Sequence, residues 1–210
     1  MTSTPSSAST GSGSPSVGSG SPSAGPGSPS AAGSSAEFPA VHFTGRALLA
    51  MPAQQLHPLY KLRVDVFVHE QQTPFAEIDD IDPHPNTHHV LAYIHPGSSP
   101  EYPFGRPDPG SPLRLVGTAR VYGKPDDQHI GRMCVAKDVR GRGIAAQIME
   151  QALEVCKGRA AALDPTTQVA RVSLNAQEQV QGFYAKFGFK PVSEPFDEEG
   201  IPHVTMELEL

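Results

Sequence analysis

Charge is absent from the first 36 residues, and 26 of them are Ser, Gly or Pro. A segment with so little apolar surface cannot offset the entropy of ordering its backbone, so residues 1–38 are expected to form a disordered tail. The tail lacks the apolar core of a secretory signal and the arginines of a mitochondrial presequence. Its Ser-rich, acid-poor composition suits a plastid-type transit peptide, and that alternative stays open. Cysteine is scarce as well. Cys134 and Cys156 are the two thiols, and their spacing fits neither a disulfide framework nor a metal site. A reducing, cytoplasmic compartment is therefore expected, and no metal. No apolar run reaches the roughly 20 residues of a membrane helix, so no membrane partner is expected. Beyond residue 36 there are 22 acidic and 16 basic residues, a net charge of −6, which argues against nucleic acid as a partner.

What remains, residues 39–210, is long enough for one domain. Residues 41–50 predict a strand. In 56–69, Leu59, Leu62 and Val66, with Leu56 and Tyr60, recur at helical spacing. The acidic, proline-containing stretch 71–87 predicts a loop, 88–94 a strand, and the proline-rich stretch 96–112 a surface excursion. Over 113–123, Leu113, Leu115, Ala119 and Val121 alternate with Arg114, Thr118, Arg120 and Tyr122, which predicts a strand. A turn at 124–127 leads to its hairpin partner, 128–136. An amphipathic helix is predicted from Gly141 to Lys157, with Ile144, Ile148, Ala152 and Val155 on one face. A loop over 158–167, a strand over 169–175, a helix over 176–187 and strands over 189–192 and 203–210 complete the order. This order predicts an α/β fold: a mixed, mostly antiparallel sheet with one parallel crossover and helices on both faces.

The stretch Val139-Arg-Gly-Arg-Gly-Ile-Ala-Ala-Gln-Ile148 places two glycines at the mouth of a helix. A helix N-terminus offers unpaired N–H groups and a positive dipole end. Missing Cβ atoms let a phosphate approach those groups. A tight turn carrying two surface arginines would look the same. No Gly-Lys-Ser/Thr follows, so this is not a P-loop, and it is not a Gly-x-Gly-x-x-Gly fingerprint.

Arg140-Gly141-Arg142-Gly143-Ile144-Ala145 resembles the Arg/Gln-x-x-Gly-x-Gly/Ala signature of the GNAT acyltransferases. Downstream, Asn175 and Gly182-Phe183-Tyr184-Ala185-Lys186-Phe187-Gly188-Phe189 resemble the family's second motif. The segments from Arg63 to Gln71, from Glu77 to Asp82 and from Glu199 to His203 resemble its ElaA-like branch. The likeness covers about 56–210. The tail and the long 96–112 loop depart from it.

The resemblance implies a GNAT domain over 39–210 that uses acetyl-CoA as co-substrate. It implies a pyrophosphate held by the N–H groups of Arg140, Gly141, Arg142, Gly143, Ile144 and Ala145. The pantetheine arm would run along Met133, Cys134 and Val135, with an oxyanion donor near Val135. Asn175 would reach a pantetheine amide or cap the following helix. Tyr184 would protonate the leaving thiolate. Glu70, Glu77, His89 and His203 are the candidate general bases. Glu77 and Asp79 in the acidic stretch, with His89 and Arg120 on the strands, are candidate acceptor contacts. The acidic stretches read either as solvated loops or as attractors of a cationic amine. The expected acceptor is a small-molecule primary amine. A protein lysine acetyltransferase and a non-catalytic CoA-binding module are the alternatives, and a homodimer is possible.

Overall fold

The computed structural model describes residues 40–72, 76–95, 113–162 and 170–210. The 1–38 tail, the 96–112 excursion and the second half of the 158–167 loop, residues 163–167, lie outside the described residues. Strand β1 spans His42–Arg46, shorter than the predicted strand because a 3₁₀ turn at Leu48–Ala50 takes over. Helix α1 spans Ala53–Arg63 and runs on as a π-helical segment, Val64–Glu70. Its spacing is as the sequence predicts: Leu59, Leu62 and Val66 are buried. The start differs, because Pro52 sits at the N-cap, where a residue without N–H loses nothing.

Strands β2 (His88–Ile94), β3 (Arg114–Lys124) and β4 (Asp127–Val135) form an antiparallel meander with β1. A 3₁₀ turn, Lys137–Val139, leads to helix α2, Ile144–Ala161. The helix starts later than predicted because Gly141 and Gly143 are left-handed, at φ +76° and +77°. It also continues through Gly158, which the sequence placed in a loop. Strand β5 (Arg171–Gln177) pairs parallel to β4 and antiparallel to β8 (Ile201–Glu209). Pairing of Ala176 and Gln177 with Val204 and His203 takes two residues from the helix predicted at 176–187. A 3₁₀ turn, Glu178–Val180, and a short helix α3, Gln181–Ala185, follow. Strand β6 (Lys190–Pro191) pairs with β8, and β7 (Phe196–Glu198), which the sequence reading missed, makes a hairpin with it.

The sheet order is β1-β2-β3-β4-β5-β8-β6, with β7 also on β8. Helix α2 buries Ile144, Ile148, Met149, Ala152, Leu153 and Cys156. It lies so close to β3 that a Cβ on Gly117 would overlap Ile148 Cδ1. Alternation turns Thr118 and Arg120 to the other face, where Arg63 of α1 meets the same acidic segment as Arg120. Both faces of β3 are therefore buried. No described helix is long and apolar enough to cross a membrane.

Candidate active site

Strands β4 and β5 share three residue pairs, Asp127–His129 with Arg171–Ser173, and then part. The rest of β4 presents an open edge to the gap. Its backbone is kinked there: three steps on β4, Cys134 to Gly131, oppose two on β3, Thr118 to Arg120. Arg132 takes up the extra residue at φ +49°, making a β-bulge. A cavity of about 680 Å³ fills the splay. A second pocket of about 450 Å³ joins it through Met133, Ala145 and Phe183 and ends at Gly141 and Gly143.

The glycine end has the features the sequence suggested. Gly143 is the N-cap of α2, and no side chain caps the helix. A Cβ built on either glycine meets nothing within 4 Å. The N–H groups of the first turn therefore face open space beside a positive helix end, which suits a pyrophosphate. Ile144 is buried and Ala145 lines both pockets, while Arg142 is exposed beside them. Met133, Cys134 and Val135 line the groove between the glycines and the splay. This fits an elongated phosphate-bearing thioester such as an acyl-CoA.

Arg140 donates its backbone N–H to Lys137 O at 3.5 Å. Its Nε donates to Val135 O at 2.9 Å, and Nη1 and Nη2 bind the two Glu70 oxygens at 2.5 and 3.0 Å. The arginine thereby ties the end of the π-helical segment to the strand that leads into the glycines. Glu70 is a poor base as placed, because the hydrogen bond from Arg140 holds its carboxyl below the usual range. Cys134 is no nucleophile either: burial pushes its thiol up to about 12.

Tyr184 lines the splay cavity from α3. Its ring packs edge-on against Phe183 and Phe189, with centroids 5.1 and 6.3 Å away. Burial pushes its hydroxyl up to about 12, so it stays protonated at working pH. The same cavity is lined by His203 of β8. Its Nδ1 is 2.8 Å from Ile201 O. A carbonyl can only accept, so Nδ1 carries a proton, and in the neutral ring the lone pair is on Nε2. Glu198 Oε2 lies 3.8 Å from the same Nδ1, and Phe196 stacks on the ring at 6.2 Å.

Asn175 does not cap a helix. It points to the same wall, accepting from Thr205 Oγ1 at 3.2 Å and donating to Glu198 Oε2 at 3.4 Å. Three further residues of the cavity lining, His129, Ser173 and Tyr122, escaped the sequence reading as site residues. His129 Nδ1 is 2.6 Å from Ser173 Oγ, and Tyr122 stacks on the His129 ring at 5.2 Å. Pairing the predicted hairpin would have set Tyr122 opposite His129, but the parallel β4–β5 register that brings Ser173 in has no local signal.

The acidic segment is neither a solvated loop nor an open attractor of amines. Glu77 and Asp82 are buried. Arg63 Nε binds Glu77 at 2.5 Å, and its Nη1 binds Asp82 at 2.7 Å. Arg120 Nη1 bridges Asp79 at 2.6 Å and Asp82 at 2.9 Å, and Arg132 Nε meets Glu77 at 3.0 Å. His89 is wholly buried, with Nε2 3.2 Å from Asp82 O, and burial pushes its imidazole down. Of these residues Arg120 and Arg132 reach the cavity lining, while Glu77, Asp79 and His89 stand behind it. Among the described residues no His, Cys, Asp and Glu cluster has a metal-holding geometry.

Residues 111–210 match the family model described as an acetyltransferase (GNAT) domain. Protein ElaA of Escherichia coli is 32% identical over 163 residues, which are 76% of this chain and 91% of that protein. A UPF0039 protein of Schizosaccharomyces pombe is 32% identical over 84% of this chain and 99% of its own length. The crystal structure of E. coli ElaA superposes with a TM-score of 0.63 at 29% identity, covering 80% of this chain and 99% of that one. An acyl-CoA N-acyltransferase from Pseudomonas aeruginosa superposes at 0.61 and 28% identity, covering 80% and 99%. The open mixed sheet, the splay and the glycine-headed helix thus belong to a chain of the GNAT acetyltransferase family, on its ElaA-like branch, and the family supports acyl-CoA-dependent acyl transfer.

Proposed function

We propose that the protein is an N-acetyltransferase that passes the acetyl group of acetyl-CoA to a primary amine. The observation that carries this is one continuous groove. It runs from the bare N-terminus of α2, along the open edge of β4, to a cavity lined by both Tyr184 and His203. The N–H groups of residues 140–145 would hold the pyrophosphate. The backbone of Met133 and Val135 would pair with the pantetheine arm as an added strand. Acetyl-CoA supplies the activated acetyl group. The N–H near Val135 would stabilise the oxyanion that develops on it.

His203 Nε2 accepts the proton that an ammonium must lose before it can attack. A positioned imidazole is the commonest general base for such a transfer. Tyr184 would face the leaving sulfur. Burial holds its hydroxyl up at about 12, so it keeps its proton until a thiolate forms beside it. Asn175, Thr205, Ser173 and His129 make the acceptor side polar, which suits a small amine with further hydrogen-bonding groups.

The test is a panel of amines, including lysine peptides, assayed for CoA release and for the acetylated product. Turnover with small amines that is lost in His203→Gln supports the reading. Turnover with peptides alone would make the protein a lysine acetyltransferase. Tight acetyl-CoA binding without turnover on any amine would make it a CoA-binding module.

A further inference from the structure

We infer that Arg132 is a positioning residue, and that the acidic segment 76–82 acts through it to hold the β4 bulge in shape. The left-handed region is unfavourable for any residue with a Cβ and persists where the surroundings over-determine it. Arg132 stands there at φ +49° in the middle of a strand. The surroundings that fix it are visible. Its Nη2 donates to Ala76 O at 3.1 Å and to Asp79 Oδ2 at 3.4 Å. Its Nε lies 3.3 Å from Glu77 O and 3.0 Å from Glu77 Oε2.

The segment it grips is itself fixed. Arg63, wholly buried, holds Glu77 and Asp82 from α1, and Arg120, 3% exposed, holds Asp79 and Asp82 from β3. Asp79 takes Arg120 from β3 and Arg132 from β4, so it spans the two strands at the place where the bulge breaks their register. Residues 132 and 133 have no partner in the β3 ladder, and Met133 lines both pockets. The three arginines and three carboxylates therefore set the direction of the backbone along which the pantetheine arm of the proposed reaction would lie. For its catalytic consequence this inference rests on the acetyltransferase reading. The structural part does not.

The test uses Arg132→Ala, Arg132→Gly and Arg132→Lys in the full chain, with two readouts. The first is amide hydrogen exchange without ligand. In Arg132→Ala the ladder amides flanking the bulge, those of Gly131 and Cys134 and of Thr118 and Arg120 opposite them, should exchange at least about tenfold faster, while those of β5 and β8 keep their protection. The second is kinetic, with an amine from the panel. In Arg132→Ala kcat should fall about tenfold or more and the acetyl-CoA dissociation constant should change less than about threefold. Arg132→Gly should be as slow as Arg132→Ala, because glycine relieves the backbone but restores no tether. Arg132→Lys should recover part of the rate through its remaining charge. Unchanged exchange in Arg132→Ala overturns the inference. So does a fast Arg132→Gly, which would leave the backbone conformation alone as the cause, and so does an even loss of protection over the whole sheet. If no amine is turned over by the unaltered protein, the acetyltransferase reading fails and the exchange readout still decides the role of Arg132.

Discussion

The two sides of the splay are built by opposite means. The side toward α2 is defined by omissions: no Cβ at Gly141 and Gly143, no side-chain cap on the helix, no β5 partner for the end of β4. The other side, which the proposed function gives to the acceptor, rests on an excess of fixed charge, with Arg120 and Arg132 in the cavity lining and Arg63, Glu77, Asp79 and Asp82 behind it. An anion-binding helix end needs little support, since its N–H groups are positioned by the helix itself. A wall beside a bulge has no such regular element to lean on and is held by a network in which each charge has several partners. Removing a part should therefore hurt the two sides differently: binding on the first, folding on the second.

The largest effect is expected on the second side. Arg63→Met keeps much of the volume but leaves Glu77 and Asp82 short of a buried partner, which should lower stability by about 3 to 5 kcal/mol in denaturant unfolding. A loss below about 1 kcal/mol would break the contrast. The network also sets an acid limit. Burial alone would raise the Asp82 carboxyl, but hydrogen bonds and charge from Arg63 and Arg120 outweigh it and hold it below the usual range; Asp79 is held low by Arg120 in the same way. Their contribution is thus present above the ordinary aspartate value, near 3.9, and is lost as pH falls through the lower folded values. Unfolding midpoints should drop in that window, and Arg63→Met should flatten the drop.

Tyr184→Phe comes next. It keeps the ring contacts, so stability should change by less than about 1 kcal/mol. It removes the proposed proton donor, so kcat should fall about 100-fold, near 2.7 kcal/mol, with acetyl-CoA affinity intact. Because burial holds this hydroxyl at about 12, kcat should show no fall from tyrosine ionisation up to pH 10. Gly143→Val addresses the side made by omission. It places a branched Cβ at φ +77°, and acetyl-CoA binding by calorimetry should weaken at least tenfold, about 1.4 kcal/mol or more. Unchanged affinity in a folded variant would return the glycines to a plain turn. The smallest effect is a control on the same helix. Gly158 has ordinary helical geometry and open space around it, so Gly158→Ala should raise stability by about 0.5 to 1 kcal/mol and leave affinity alone.

The same contrast decided what could be read from the residues. Gly141, Gly143 and the run from Gly182 to Phe189 are local patterns, and a helix end with missing Cβ atoms is described by neighbours in sequence. Glu77 and Asp82 find Arg63 14 and 19 positions away, and nothing in the spacing of acids along 77–82 says whether water or an arginine will meet them. Arg132 gives no sign of its left-handed backbone, because arginine is not a residue that seeks it. The strand end at Gln177 was lost to a helical pattern because its partner His203 belongs to a distant element. The β7–β8 hairpin was nearer to hand. Glu199 and Gly200 at its tip are both at positive φ, +55° and +84°, and Asp197 Oδ1 accepts from Gly200 N–H at 2.9 Å. An acidic residue followed by glycine between two short apolar runs is a hairpin signal.

As a mechanical object, the sheet is two plates joined by a short seam, the three residue pairs between β4 and β5. The seam is riveted to α2. Gln128 Nε2 donates to Cys156 O and Pro125 O at 2.8 Å each, and Arg159 donates to Gln128 Oε1 at 2.9 Å and to Gly123 O at 2.7 Å. These rivets sit near one end of the helix, and the bare N-terminus at residue 144 is the other. At 1.5 Å per residue the two ends are roughly 22 Å apart. A rod of that length turns a tilt of about 3° at the rivets into a shift of about 1 Å at the glycines, a displacement large enough to matter to a reacting group. Gln128, buried at the seam, is therefore one of the points that set the aim of the helix, together with Ile144 and Ile148, which pack nearer the glycines.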